Sequence, residues 1–577
     1  MKLQYKLSIP SPENHLAHVK ITAKREEGEN QLKLFIPSWS PGSYLMREYG
    51  RNVRWLKVEN SKGERVYHEQ LDRGIWLIDW DKSDLVNSNE SEFTVEYEIY
   101  CHELTVRTSH IDKSHAFIHG PSVFMGFLDK QMLDPTLEVI INPLWSKIST
   151  GLTDISPKRD IFLYTAKDYD TFIDAPLEIG CHETDGFMVE GIPHELAFFG
   201  ESILHNNNMK GDIREIVDHI QKTMGGIPYE KYCFMTHLAP GLFGGLEHLN
   251  STALQFCSYS ITDKKGYQEW LELVAHEYFH LWNVKRIRPI ELGPFDYTKE
   301  ALTKMHWLTE GLTSFMDQLF IFRTDFYTLD EYLDCIKENI NRYLSVPGRK
   351  FHSLEDSSFN SWIKLYRPDE NHNNSSISYY LKGGLVFFAL NILMLESKKS
   401  VIDLVELLWQ RYLVNPEVGV KEDEVFDLLE EVSGKEVRDQ FVHMIKSTED
   451  IDFEALLNKV NVEVEYEKSK VDLGFNPEFK GDRVFVKSVE LDGPAYKSGL
   501  NAGDEILSVN GLRFLKGNFE KKDKYFLVDK TYSLIVSRLG YVTDINIVTG
   551  KTQKKLKALK TTNKELSTEL LKGRMPK

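Results

Sequence analysis

Cysteine is scarce, with five in 577 residues (Cys101, Cys181, Cys233, Cys257 and Cys335), and none forms a CxxC pair. An odd, scattered set argues against a disulfide framework and fits a reducing compartment. No run of 18 apolar residues occurs, so no membrane span is expected. The N-terminal stretch alternates apolar and polar side chains and lacks the continuous apolar segment of a signal peptide, which reads as a cytoplasmic protein. Positive charge is also in deficit. A net charge of −17 excludes general nucleic-acid binding, which requires basic surfaces against phosphates. There is no internal repeat and no long low-complexity linker.

What is present is an ordinary globular composition, 41% apolar, 27% charged and 12% aromatic. At about 150 residues per domain the length predicts three or four domains. Residues 1–168 carry alternating segments such as "HVKITAKREEGENQLKLFIPSW" and "SEFTVEYEIYCHELTV", which predict a β-sandwich-like domain. Residues 169–455 turn to helical periodicity, including 267–285, 300–323, 380–397 and 400–412. Residues 460–550 return to strands and turns, and 551–577 read as a helix or loose tail. The fold class is therefore multidomain α+β.

Within the helical region stands "LVAHEYFHLWNVKRIRP", residues 273–289. On a helix, positions i and i+4 share a face, so His276 and His280 can present ring nitrogens to one metal. Glu277 lies about 100° round the helix from His276, placed to hold a water without being a ligand. A chain of this composition would spell H-E-x-x-H by chance about once in twenty, so the motif needs a third ligand. "HWLTEGLTSFMDQLF" (306–320) reads as a second amphipathic helix with Leu308, Leu312, Phe315 and Leu319 on its apolar face. Glu310 lies on it, thirty residues after His280, and His306 is the rival ligand one turn earlier. Helix, connection and antiparallel helix can bring either region to the histidine pair.

H-E-x-x-H followed by W-L-x-E-G resembles the gluzincin aminopeptidases. The longer strings "HEYFHLWNVKRIRP" and "WSPGSYLMREYGRNV" (39–53) are similar to the glycyl aminopeptidase family within them. The resemblance runs from about residue 3 to 550. It implies a β-rich N-terminal domain, a thermolysin-like, mostly α zinc peptidase domain, and a PDZ domain. It implies one Zn2+ per chain, held by His276, His280 and Glu310, with Glu277 as general base. "APGLFGGLEHLNS" (239–251) looks like the Gly-x-Met-Glu-Asn segment of these enzymes. There Glu247 would bind the free α-amino group, and Gly244 and Gly245 would let the substrate backbone approach. Leu246 and His248 depart from that pattern. In "SISYYLKGGLVFF" (376–388) the match to Tyr-x-Lys-Gly is Tyr380-Leu381-Lys382-Gly383, so Tyr380 would donate to the oxyanion, with Tyr379 the near competitor. Thermolysin-type enzymes often carry an Asp four residues after the third ligand; Ser314 stands here. Asp317, seven residues after Glu310 and on the same helix face, is the alternative partner for a zinc histidine, although it reads more readily as a surface or packing acid.

"VDLGF" (471–475) and "GPAYKSGLNAGDEILSVNG" (493–511) resemble a PDZ domain, whose groove accepts a peptide as an added strand. Asp472 replaces the usual first glycine of the carboxylate-binding loop. The expected activity is release of N-terminal residues, small ones such as Gly or Ala by resemblance, from peptides with a free amine. The alternatives are a PDZ-guided endopeptidase, or a PDZ peptide-binding protein with an inactive protease domain.

Overall fold

The computed structural model describes residues 1–84, 91–158, 161–200 and 208–576. The N-terminal region is built from strands in which buried and exposed side chains alternate, as in Leu16–Lys24 and Glu92–Tyr100. These two pair antiparallel as the fifth and sixth strands of a seven-stranded sheet. Two four-stranded sheets complete the layering, and Leu7, Val19, Ile21, Leu34, Ile78 and Val95 share one apolar core. Burial of such a face is the main force holding the sheets together. The region extends past residue 168, the boundary expected from the sequence. Leu177–Gly180 pairs with both Lys147–Thr150 and His115–Ile118 and so completes an N-terminal sheet.

The central region opens on a five-stranded sheet in the order Glu183–Val189, Ile192–Gly200, Tyr232–Leu238, Ser251–Phe256, Phe243–Glu247. Phe243–Glu247 is its edge strand, antiparallel to Ser251–Phe256. Helices pack behind it around one large core that includes Trp270, Trp282, Trp307 and Phe387. The helix Lys264–Phe279 starts where Asp263 accepts a hydrogen bond from the Gly266 amide at 2.8 Å, a side-chain cap on an otherwise orphan donor. The second helix is entered through a π-helical turn, Trp307–Gly311, that runs into Leu312–Arg323. It is buried on nearly all sides rather than amphipathic. The stretch Tyr379–Ser397 is long and apolar enough to cross a membrane, but most of it is buried in the fold. It is a core helix.

A close approach fixes that core helix against the second one. A Cβ on Gly311 would lie 2.7 Å from the Gly383 Cα, so only glycine permits the two backbones to touch there. This contact sets the distance at which Tyr380 faces the Glu310 turn.

The C-terminal module has a sheet that includes Phe475–Lys480, Arg483–Val489, Glu505–Val509, Thr531–Arg538 and Tyr541–Val548. The expected tail is not loose over its described length. Leu556–Thr561 pairs antiparallel with Val462–Tyr466, and the helix Lys564–Lys572 packs on the central region. There Lys572 pairs with Asp325 and Arg574 with Glu406.

Candidate active site

His276, His280 and Glu310 converge at the floor of a cleft of about 770 Å³. The His276 and His280 Nε2 atoms stand 3.1 Å apart, and Glu310 Oε2 lies 3.6 Å and 3.1 Å from them. The far nitrogen of each ring is committed. His276 Nδ1 is 2.7 Å from Asp317 Oδ2, and His280 Nδ1 is 2.7 Å from the Asn283 carbonyl. A carbonyl only accepts, so His280 carries its proton on Nδ1, and Asp317 imposes the same tautomer on His276. Two nitrogen lone pairs and a carboxylate then face one another.

Such a cluster demands positive charge. Burial works against charge on His280, yet Glu310 and Glu247 draw its pKa up to about 9. Burial also opposes ionisation of Glu310, but the two imidazoles hold it well below the usual carboxylate range. Two protonated rings at 3.1 Å would repel, whereas one divalent cation would satisfy all three groups. His2Glu is a donor set that suits zinc. Asn283 fixes the two halves of the cluster together. Its carbonyl holds His280, and its side-chain amide donates to the Leu308 and Thr309 carbonyls at 2.8 Å and 3.1 Å.

Three buried carboxylates each retain an oxygen with no hydrogen-bond partner: Glu247 Oε1, Glu277 Oε2 and Glu310 Oε2. Glu247, Glu277 and His280 form a second group within 4.8 Å. Burial pushes the Glu277 pKa up to about 7; the two histidines oppose the shift, and Glu247 and Glu310 add to it. A carboxyl poised near neutrality can both take and return a proton.

Tyr380 lines the cleft with its ring centroid 6.5 Å from that of His276, and its hydroxyl lies 3.2 Å from that of Tyr366. Tyr379, the competitor, is fully buried with its ring stacked on His306 at 5.0 Å. His306 is wedged between Tyr379 and Tyr44, whose centroid is 3.9 Å away, and burial lowers its pKa to about 3. It stands outside the metal-like cluster. Of the two readings of Asp317, histidine partner or surface or packing acid, the structure favours the first: it is buried and bonded to His276.

The N-terminal region closes one side of the cleft. A Cβ on Gly42 would meet the Glu247 carboxylate at 2.4 Å. Arg107 donates from Nη2 to the Gly245 carbonyl at 3.1 Å. Sequence reasoning missed Asn283, Tyr366, Arg107 and the position of Gly42. Asn283 and Gly42 left local signals, each inside one of the two family strings.

A third group, His115, Glu178 and His237, is also compact and fully buried. Both Glu178 oxygens are taken, by His115 at 2.7 Å and His237 at 2.8 Å. It joins an N-terminal strand to the central sheet.

The fold and the cleft define a peptidase. Profiles of the M61 N-terminal domain and of the M61 glycyl aminopeptidase domain match residues 4–181 and 269–386, and the chain belongs to that family. A PDZ domain profile matches residues 462–517. The chain is similar over 99% of its length, and all of the other chain, to an aminopeptidase N family protein from Idiomarina loihiensis, with 25% identity and a TM-score of 0.91. An M1 zinc metallopeptidase from Deinococcus radiodurans shares the fold more distantly: 13% identity, TM-score 0.50, 78% of this chain and 94% of that one. No curated protein matches the chain in sequence.

In the PDZ module the loop expected to receive a peptide carboxylate is partly filled by the chain itself. Asp472 Oδ1 accepts from the Gly474 amide at 2.9 Å. Glu490 adds a second acid, and the Asp472 charge helps burial to raise its pKa.

Proposed function

We propose that the protein is a zinc-dependent aminopeptidase that releases one residue at a time from the free N-terminus of peptides. The observation that carries this reading is the trio of buried carboxylates with unpartnered oxygens around two imidazole lone pairs. One such carboxylate suits a metal, one a water and one an ammonium group.

His276, His280 and Glu310 would hold a single Zn2+, with Asp317 and the Asn283 carbonyl orienting the rings. The ion supplies Lewis acidity toward a carbonyl oxygen and toward water. Glu277 accepts the proton of the attacking water and returns it to the leaving amine. Tyr380 donates its hydroxyl to the developing oxyanion, with Tyr366 beside it. Glu247 pairs with the substrate ammonium and so sets cleavage one residue from the end. Gly244 and Gly245, on the edge strand, let the substrate backbone lie alongside. Preference for Gly or Ala follows from the family. The five free cysteines fit a reducing, cytoplasmic setting.

The test is Glu247→Ala assayed on a peptide with a free amine and on its N-acetylated counterpart. The free-amine substrate should lose far more of its kcat/KM. Equal losses would remove Glu247 as the anchor and reopen the endopeptidase reading.

A further inference from the structure

Arg107, from the N-terminal region, reaches this cleft; burial alone would lower its pKa, but Tyr366, Tyr380, Glu277 and Glu247 raise it, though none of them pairs with it directly. Arg107 lines it beside Gly244, Gly245 and Tyr380. Among the described residues its five N–H donors find one acceptor, the Gly245 carbonyl, and its buried Nε has none. Arg47 repeats the pattern: Nη2 donates to Ser43 Oγ at 3.1 Å, while its Nε is buried and unpartnered. Neither forms an ion pair with a carboxylate of the described residues. The segments that carry them are tied by Tyr49, whose hydroxyl donates to the Arg107 carbonyl at 2.6 Å. Burial lowers the Arg47 pKa, and the charge of Arg107 lowers it further.

Both guanidiniums are partly buried, and each keeps a buried Nε with no acceptor, a donor whose desolvation an anion would offset. The guanidinium fork is shaped for a carboxylate. The outer wall of the cleft offers a carboxylate no net attraction, because Glu269, Glu331, Asp334 and Glu338 outnumber Lys265 and Arg342 there. The spacing is also informative. Glu247 and Gly245, where Arg107 is bonded, are two residues apart on one strand, about 7 Å at the strand rise. The two residues of an extended dipeptide span the same ~7 Å.

We infer that Arg107, assisted by Arg47, is the receptor for the α-carboxylate of a dipeptide whose amine is held by Glu247. This rests on the aminopeptidase reading and narrows it: short peptides with a free C-terminus are the favoured substrate class. The N-terminal β region then measures substrate length, and the central region cuts.

The test compares kcat/KM for glycylleucine, glycylleucinamide and glycylaspartamide, the last placing its carboxylate on a side chain. Glycylleucine should exceed glycylleucinamide by about 10- to 100-fold, the worth of a charge-assisted bond. Arg107→Met should bring that ratio near one, Arg107→Lys should leave it intermediate, and Arg47→Met should narrow it. Calorimetric binding of glycylleucine and its amide to Glu277→Gln protein should show the same preference without turnover. Equal cleavage of acid and amide by the wild type overturns the carboxylate site and leaves the aminopeptidase reading standing. A preference for glycylaspartamide over glycylleucine overturns the assignment to the terminal carboxylate. If none of the three is cleaved, the aminopeptidase reading falls, and the calorimetric comparison still decides the carboxylate site.

Discussion

Gly245 and Glu277 occupy neighbouring space that admits no further atom. A Cβ added at residue 245 would lie 2.0 Å from Glu277 Oε1. Gly245→Ala should therefore push the Glu277 carboxylate aside while leaving the core untouched. A displacement of about 1 Å in a catalytic group can cost 10²-fold, so kcat/KM should fall by about that factor with little change in the melting temperature. Retained activity in Gly245→Ala would show that Glu277 need not stand where it does.

Glu277→Gln removes the proton acceptor but keeps the shape. Turnover should drop by about 10²- to 10⁴-fold, the usual contribution of a general base. Zinc content measured by atomic spectroscopy should stay at one per chain. Substantial residual turnover would end the general-base role.

Asp317→Asn keeps a hydrogen-bond acceptor beside His276 but removes its charge. Partners of this kind contribute about 10- to 100-fold to metal affinity. A chelator competition should read that loss, and the melting temperature of the chelated protein should hardly move. If the chelated protein is destabilised and zinc affinity is unchanged, Asp317 is a packing residue after all.

Glu178 predicts an acid limit for the junction between the N-terminal and central regions. Burial alone would raise its pKa, but His237 and His115 bring it from 4.5 down to about 2. A group whose pKa is depressed on folding adds stability above its unfolded value and loses it as pH falls through the folded one. That contribution is full above about pH 4.5 and gone below about pH 2. Glu178→Gln should thus melt below the wild type at neutral pH, with the gap closing as pH falls through this window. A gap independent of pH would assign the effect to packing alone.

The histidine pair was legible because positions i and i+4 share a helix face, whereas Glu310 was preferred to His306 only through the resemblance to gluzincin aminopeptidases; the structure brings the three together. The region boundary near 168 was not legible, because Leu177–Gly180 looks like any short strand until its partners, sixty residues earlier in the case of His115–Ile118, are known. Periodicity placed Asp317 on the face of Glu310, but whether that face meets His276 depends on how the two helices pack, which the sequence does not encode. Arg107 meets Gly245 across 138 residues, and no periodicity encodes a contact of that range. Tyr380 was favoured over Tyr379 by motif register alone. Tyr380 faces the cleft and Tyr379 the core, a distinction that depends on the Gly311–Gly383 contact.

The pairing of Val462–Tyr466 with Leu556–Thr561 makes the PDZ module a guest rather than an appendage. Its two stems leave and re-enter the host side by side, so it has no single hinge on which to swing. A stop codon placed before it would also strip the host of a strand, of the helix Lys564–Lys572 and of the Arg574 and Met575 that follow it onto Arg323. Excision between the stems would leave both the strand pair and that helix with the peptidase body.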